Sequence, residues 1–263
     1  FIRVCFPGQR LINLRRHVPC MRLAALYSGG KGSTLAMYTA MQMGHDIPYI
    51  VTIRPADKAS WGFHTPNLST VPLMAEAMGV EQIVADSDGT EAGDLEALRL
   101  ALADLDVDGV VTGALWSDYQ WDRMNLVCGD LGLCVLSPLW RKSQDEVYDL
   151  MCTSGVDAII VGVFAEGLDE RWLGRHLDMG AKKELLALRD RYWISIMGEG
   201  GEYESMTLDS PMHSKKLVIS ESKKVMERNT GVLDVTLESL NADMIAMPGH
   251  KGLLGPHGTG LLA

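Results

Sequence analysis

The sequence lacks the features of a secreted scaffold, a membrane protein or a nonspecific nucleic-acid binder. Its five cysteines (Cys5, Cys20, Cys128, Cys134, Cys152) are odd in number, widely spaced and never in a CxxC pair. That excludes a disulfide framework and a cysteine-built structural zinc site. No apolar run approaches the roughly 18 residues that would suggest a membrane-spanning helix. Cations are in deficit, with 24 Lys and Arg against 34 Asp and Glu, for a net charge of −10. A chain that neutralises phosphate backbones needs the opposite surplus. What is present is 47% apolar and 22% charged residues in a chain of 263. This suits a large core in one large or two small domains. The expectation is a soluble, cytoplasmic protein with no nucleic-acid or membrane partner.

The charge is uneven along the chain. Residues 1–20 hold four Arg and no acid, which leaves 20 basic and 34 acidic residues, −14, in the remainder. This basic stretch lacks the Ser enrichment and amphipathic period of a targeting peptide, and Pro7 and Pro19 interrupt it. It reads as an unstructured extension. From Met21 onward, apolar runs at 23–27, 47–53, 82–85, 109–113, 134–139 and 158–164 alternate with amphipathic stretches at 33–43, 67–78, 95–105 and 144–151. Several runs are continuous and β-branched, as in parallel strands buried on both faces. The alternation predicts a Rossmann-like α/β parallel sheet over 21–140 and a second, smaller α+β domain over 141–240. Ligands of such sheets bind beyond the carboxyl ends of the strands.

At the end of the first strand stands Ser28-Gly29-Gly30-Lys31-Gly32-Ser33-Thr34. Three glycines let the backbone turn its N–H groups into one concavity, and a helix N-terminus adds partial positive charge. Lys31 supplies a full charge, and Ser28, Ser33 and Thr34 supply hydroxyls. The segment reads as a phosphate site rather than a plain glycine-rich turn. It is not a Walker A loop, because Ala25 and Gly32 stand where that pattern needs Gly and Ser or Thr.

This loop resembles the SGGxDS loop of the PP-loop ATP pyrophosphatases. Four further stretches narrow the resemblance to the diphthine–ammonia ligase family: 63–79, 113–133, 137–140 with 166–178, and GEGGEYESMTLDSP at 198–211. The resemblance runs from about residue 21 to 240. It implies that ATP converts a carboxylate to an acyl-adenylate, which ammonia then attacks to give an amide and AMP. The carboxylate it implies is that of diphthine on translation elongation factor 2, with ATP and Mg²⁺ required. On this reading Lys31 and Ser33 are catalytic, while Ser28, Gly29, Gly30, Lys31, Gly32, Ser33, Thr34, Asp118 and Arg123 bind ATP. Glu166, Gly167, Glu199, Gly200, Gly201, Glu202, Tyr203 and Glu204 bind the substrate. No protein metal ligand is assigned.

The residues support parts of this independently. Carboxylates flanking two glycines suit a cationic group, and Tyr203 or Trp193 adds an aromatic face for the trimethylammonium that diphthine carries. Asp118, Gln120 and Arg123 follow the strand at 109–113. Trp116 and Trp121 read as packing residues, Met37, Met41 and Met43 as a core stripe, and His64 as a loop residue. One departure matters: Gly32 stands where the family's loop has Asp. That allows a catalytically weakened or inactive nucleotide-binding protein. A tRNA-modifying enzyme is a further alternative, disfavoured by the acidic charge and by the five residues between Cys128 and Cys134. Residues 241–263 resemble a truncated pyridoxal-phosphate segment of class V aminotransferases. Lys251 matches the cofactor lysine there, but no surrounding domain is present to complete such a site.

Overall fold

A computed structural model describes residues 20–56, 67–228, 230–239, 246–248 and 260–262. The stretches holding His64, Lys251 and most of the basic extension lie outside the described residues. The first unit runs β1 (Arg22–Leu26), α1 (Lys31–Gln42), β2 (Asp46–Pro55), α2 (Val71–Met78), β3 (Glu81–Ser87), α3 (Glu91–Ala103), β4 (Gly109–Val111), α4 (Asp118–Asp130) and β5 (Cys134–Leu136). Its five strands are parallel in the order β3-β2-β1-β4-β5. Strand order reverses between β1 and β4, so the crevice for a ligand opens at the carboxyl ends of those two strands.

Burial explains the apolar runs. Leu23 and Ala25 of β1 join one apolar cluster with Leu35, Met37 and Met74 of α1 and α2. Ala24, on the other face, joins a second with Leu98, Met124 and Val127 of α3 and α4. A strand covered on both sides has no polar face to alternate with. The methionine stripe is only partly core: Met37 is buried, but Met41 and Met43 are 41% and 49% exposed. Met41 shares the face of Met37 but lies in the last turn of α1, and Met43 caps its end, so the exposure marks where the helix runs out of cover rather than a change of face.

The second unit comprises α5 (Gln144–Ser154), β6 (Asp157–Val163), α6 (Met179–Tyr192), β7 (Tyr203–Asp209), β8 (Leu217–Glu227) and β9 (Thr230–Ser239). Its sheet, β7-β6-β9-β8, is antiparallel. The run 158–164 therefore forms a central antiparallel strand, not a further parallel one. Full burial on both faces produces the same continuous apolar run in either direction. Ala246–Pro248 and Gly260–Leu262 pair antiparallel as β10 and β11.

The two sheets are joined by one continuous apolar cluster, which contains Leu23 and Met74 of the first unit and Ile160, Met206 and Leu233 of the second. Hydrogen bonds reinforce the joint. Asn67 clasps β9, donating to Leu233 O (3.0 Å) and accepting from Val235 N (3.1 Å). Thr207 N donates to Gly29 O at 2.8 Å, which ties β7 to the loop after β1. That last bond brings the second unit to the phosphate-type loop.

Candidate active site

The loop 28–30 passes directly into α1. Gly29 has φ +79°, and a Cβ there would lie 2.9 Å from Met74 Sδ. Only glycine meets both demands cheaply. Gly30 caps α1 with extended backbone and no side-chain hydrogen bond, and the first turn carries no acid. The helix thus starts with a positive pole that no acid of its own first turn offsets, and with N–H groups beyond that of Lys31, which Ser205 takes, left for an anion. Ser33 Oγ donates to Gly30 O at 3.1 Å, steadying the turn.

Thr34 differs from the rest of the loop. It is wholly buried, and its Oγ1 lies 3.0 Å from both Tyr27 Oη and Thr207 Oγ1. This hydroxyl chain bolts α1 to β1 and β7. Burial pushes the Tyr27 phenol up to about 12, with Thr34 pulling slightly the other way. Thr34→Val should therefore act on stability, costing about 1–3 kcal/mol because two buried hydroxyls lose a partner. Denaturant unfolding measures that loss, and the KM for ATP should stay within about twofold.

Lys31 joins the two halves of the site. Its backbone N–H donates to Ser205 Oγ at 3.2 Å, across 174 residues of sequence. The residue is 8% exposed, with Nζ 4.6 Å from the centre of the Tyr203 ring. Burial pulls the amine below its ordinary value, against Glu199, Glu204 and Glu202, whose charges pull it up. The loop and the segment 199–204 therefore form one site, with a cation and an aromatic ring between a helix N-terminus and three carboxylates.

Within that segment the roles divide. Glu202 is a clamp, accepting Ser195 N at 2.7 Å and Gly200 N at 2.8 Å. Tyr203 is 2% exposed and donates its hydroxyl to Ile196 O at 2.7 Å. Its ring face is what it offers Lys31. Gly201 has φ +81° and closes the turn, with its N–H donating to Gly198 O. Glu199 Oε2 accepts the backbone N–H of Trp116 at 3.3 Å, from the loop after β4. Glu204 is the second residue of β7 and pairs with Gly162 of β6.

Glu166 and Gly167 follow β6, near the same end. Glu166 is exposed. Gly167 has φ +89° and packs on Tyr192, whose ring a Cβ would meet at 2.7 Å. Asp118 and Arg123 stand at the first turns of α4 and already hold partners: Asp118 pairs with Arg141 at 2.5 Å, and Arg123 Nε donates to Glu91 at 2.7 Å. Trp121 packs on Trp140, with ring centroids 5.3 Å apart, whereas Trp116 is 43% exposed. Trp193 is 91% exposed. Arg141, which sequence reasoning passed over, has φ +55° and sits among Asp118, Trp116 and Trp140. Only its place just after the family-like stretch Ser137-Pro138-Leu139-Trp140 hinted at it.

Among the described residues, no group of three or more His, Cys, Asp or Glu side chains is arranged to hold a metal ion. No helix of the described residues is long and apolar enough to cross a membrane. A cavity of about 490 Å³ lies at the start of β6, lined by Cys152, Asp157 and His176. That is the far end of the strand from Tyr203, which pairs with Val163.

A parallel α/β sheet, a glycine-rich turn into a helix at its switch point and a lysine in that turn define a nucleotide-binding protein of the PP-loop type. The particular family follows from comparison with known proteins. Residues 21–135 match the diphthamide synthase N-terminal domain, and residues 144–240 match its C-terminal domain. The chain belongs to the diphthamide synthase family. It is similar to the diphthine–ammonia ligase of Danio rerio, 37% identical over 230 residues, covering 78% of this chain and 89% of that protein. The Homo sapiens diphthine–ammonia ligase is 35% identical, covering 78% and 85%. That of Schizosaccharomyces pombe is 32% identical, covering 80% of this chain but 38% of the longer yeast protein.

Proposed function

We propose that the protein is an ATP-dependent amide-forming ligase that converts the diphthine carboxylate of translation elongation factor 2 to diphthamide, using ammonia and releasing AMP and pyrophosphate. Residues 21–140 carry the nucleotide and residues 141–240 the substrate. The observation that carries this reading is the meeting of Lys31 with the Glu199–Glu204 turn. An AMP-forming amide synthesis needs an anion site for the leaving pyrophosphate beside a site for two cationic groups, ammonium and trimethylammonium. Here a helix N-terminus and a set of carboxylates share one lysine.

The chemistry follows from the groups present. A carboxylate resists attack by ammonia until its oxygen becomes a good leaving group. The turn 28–33 holds the β and γ phosphates through backbone N–H groups, and Lys31 stabilises the charge that develops as the α–β bond breaks. Glu199 and Glu204 attract ammonium and can take its proton, leaving ammonia to attack the acyl-adenylate. AMP then departs. Positioning and electrostatics suffice, so no nucleophilic side chain is required.

The test is direct. Purified protein given ATP, Mg²⁺, ammonium and diphthine-modified elongation factor 2 should form AMP and diphthamide in equal amounts. ATP bound without AMP release would favour the reading that Gly32 leaves a nucleotide-binding protein with little turnover.

A further inference from the structure

We propose that Arg141 is a positioning residue for this site, acting through Trp116 to hold the Glu199 carboxylate beside Lys31. The inference rests on the ligase reading for its kinetic arm only. Arg141 carries a left-handed backbone, φ +55°, although it is not glycine. Such a conformation is costly for a residue with a Cβ and persists where its surroundings over-determine it. They do so here. The Arg141 backbone N–H donates to Leu115 O at 2.9 Å, and its guanidinium pairs with Asp118 at 2.5 Å. That guanidinium also faces two indoles, with its central carbon 5.2 Å from the Trp116 ring centre and 4.9 Å from that of Trp140.

The contacts converge on Trp116. Its indole N–H donates to Lys142 O at 3.0 Å, so the ring is fixed by the residue next to Arg141 as well as by Arg141. Its backbone N–H is the donor to Glu199 Oε2. A planar guanidinium suits this position because it can stack on indoles and reach a carboxylate at once. The path from Arg141 to Glu199 thus crosses from the loop after β5 to the loop after β4 and then to the second unit.

Arg141→Gly removes the guanidinium while relieving the backbone, so the variant should melt no lower than wild type. Its kcat for AMP formation should fall by roughly tenfold or more, with the KM for ATP little changed. If Arg141 acts through Glu199, the double variant Arg141→Gly/Glu199→Gln should be no slower than Glu199→Gln alone. A kcat within twofold of wild type for Arg141→Gly, or multiplicative losses in the double variant, would overturn the proposal. A second arm needs no turnover: competitive acetylation of Lys31 in the intact protein, followed across pH by mass spectrometry. Only the neutral amine reacts, so loss of the Glu199 charge moves the onset to lower pH. Both Glu199→Gln and Arg141→Gly should move it that way. An unmoved profile in either variant sinks the proposal, whereas a wild-type protein that makes no AMP sinks the ligase reading and leaves this arm to decide.

Discussion

Lys31→Ala is expected to lower kcat for AMP formation by about 10²–10³-fold, the size of effect seen when a buried transition-state donor is removed. The amine is placed where charge develops, and the residue's 8% exposure means that water cannot replace it. Stability should respond in the opposite sense for the isosteric variant Lys31→Met. The folded-state pKa of Lys31 lies below the ordinary 10.5, with burial as the main cause. Between those two pH values the unfolded chain binds a proton that the folded protein does not. Wild-type stability therefore gains a contribution as pH rises through that window, and bears the full cost of the buried charge below it. Lys31→Met removes this dependence. Denaturant melts at several pH values should show wild type falling behind Lys31→Met as pH is lowered toward 7. A variant that is less stable than wild type at neutral pH would show that the three glutamates repel more than burial costs. The site is thus held at the expense of stability, as expected where function needs a desolvated charge.

The loop at 28–34 was legible because its chemistry is consecutive: glycine, lysine and hydroxyl positions fall between a strand and a helix. The parallel sheet was legible because burial on both faces leaves a continuous apolar run. That rule alone does not give strand direction: the run 158–164 looks the same, yet it lies in the central antiparallel strand of the second unit, whose α+β character, not its apolar run, set it apart. What the sequence could not show was pairing across distance. Lys31 and Ser205 are 174 positions apart, and no local pattern says that one loop will dock on the other. Nor does it say that Thr34 turns inward to Thr207 while Ser33 stays with the turn. Arg141 was hidden for a different reason. Left-handed backbone is anticipated at Gly or Asn, and an arginine there is forced by contacts that exist only in the folded protein.

Gly32→Asp should raise kcat by about tenfold and should not disturb the fold. Position 32 is the second residue of α1, and a Cβ there would meet only Gly113 O, at 3.5 Å, an ordinary contact. An acid in the first turn also interacts favourably with the helix pole, by about 0.3–1 kcal/mol, and replaces a glycine that is unfavourable in a helix. The first turn has no acid now, so this gain has no existing carboxylate to repel within that turn. For activity, the new carboxylate would stand beside the phosphate-binding turn, where the resembled family's loop carries Asp. An anionic oxygen is the donor type that Mg²⁺ accompanying ATP prefers. Gly32→Asn separates the two effects: it matches the shape and fills the same space, but without the charge. The Asp variant should turn over faster than both wild type and the Asn variant, and its half-saturation by Mg²⁺ should fall. If Asp and Asn perform alike, the carboxylate contributes nothing, and if both match wild type, glycine at position 32 is not what limits turnover.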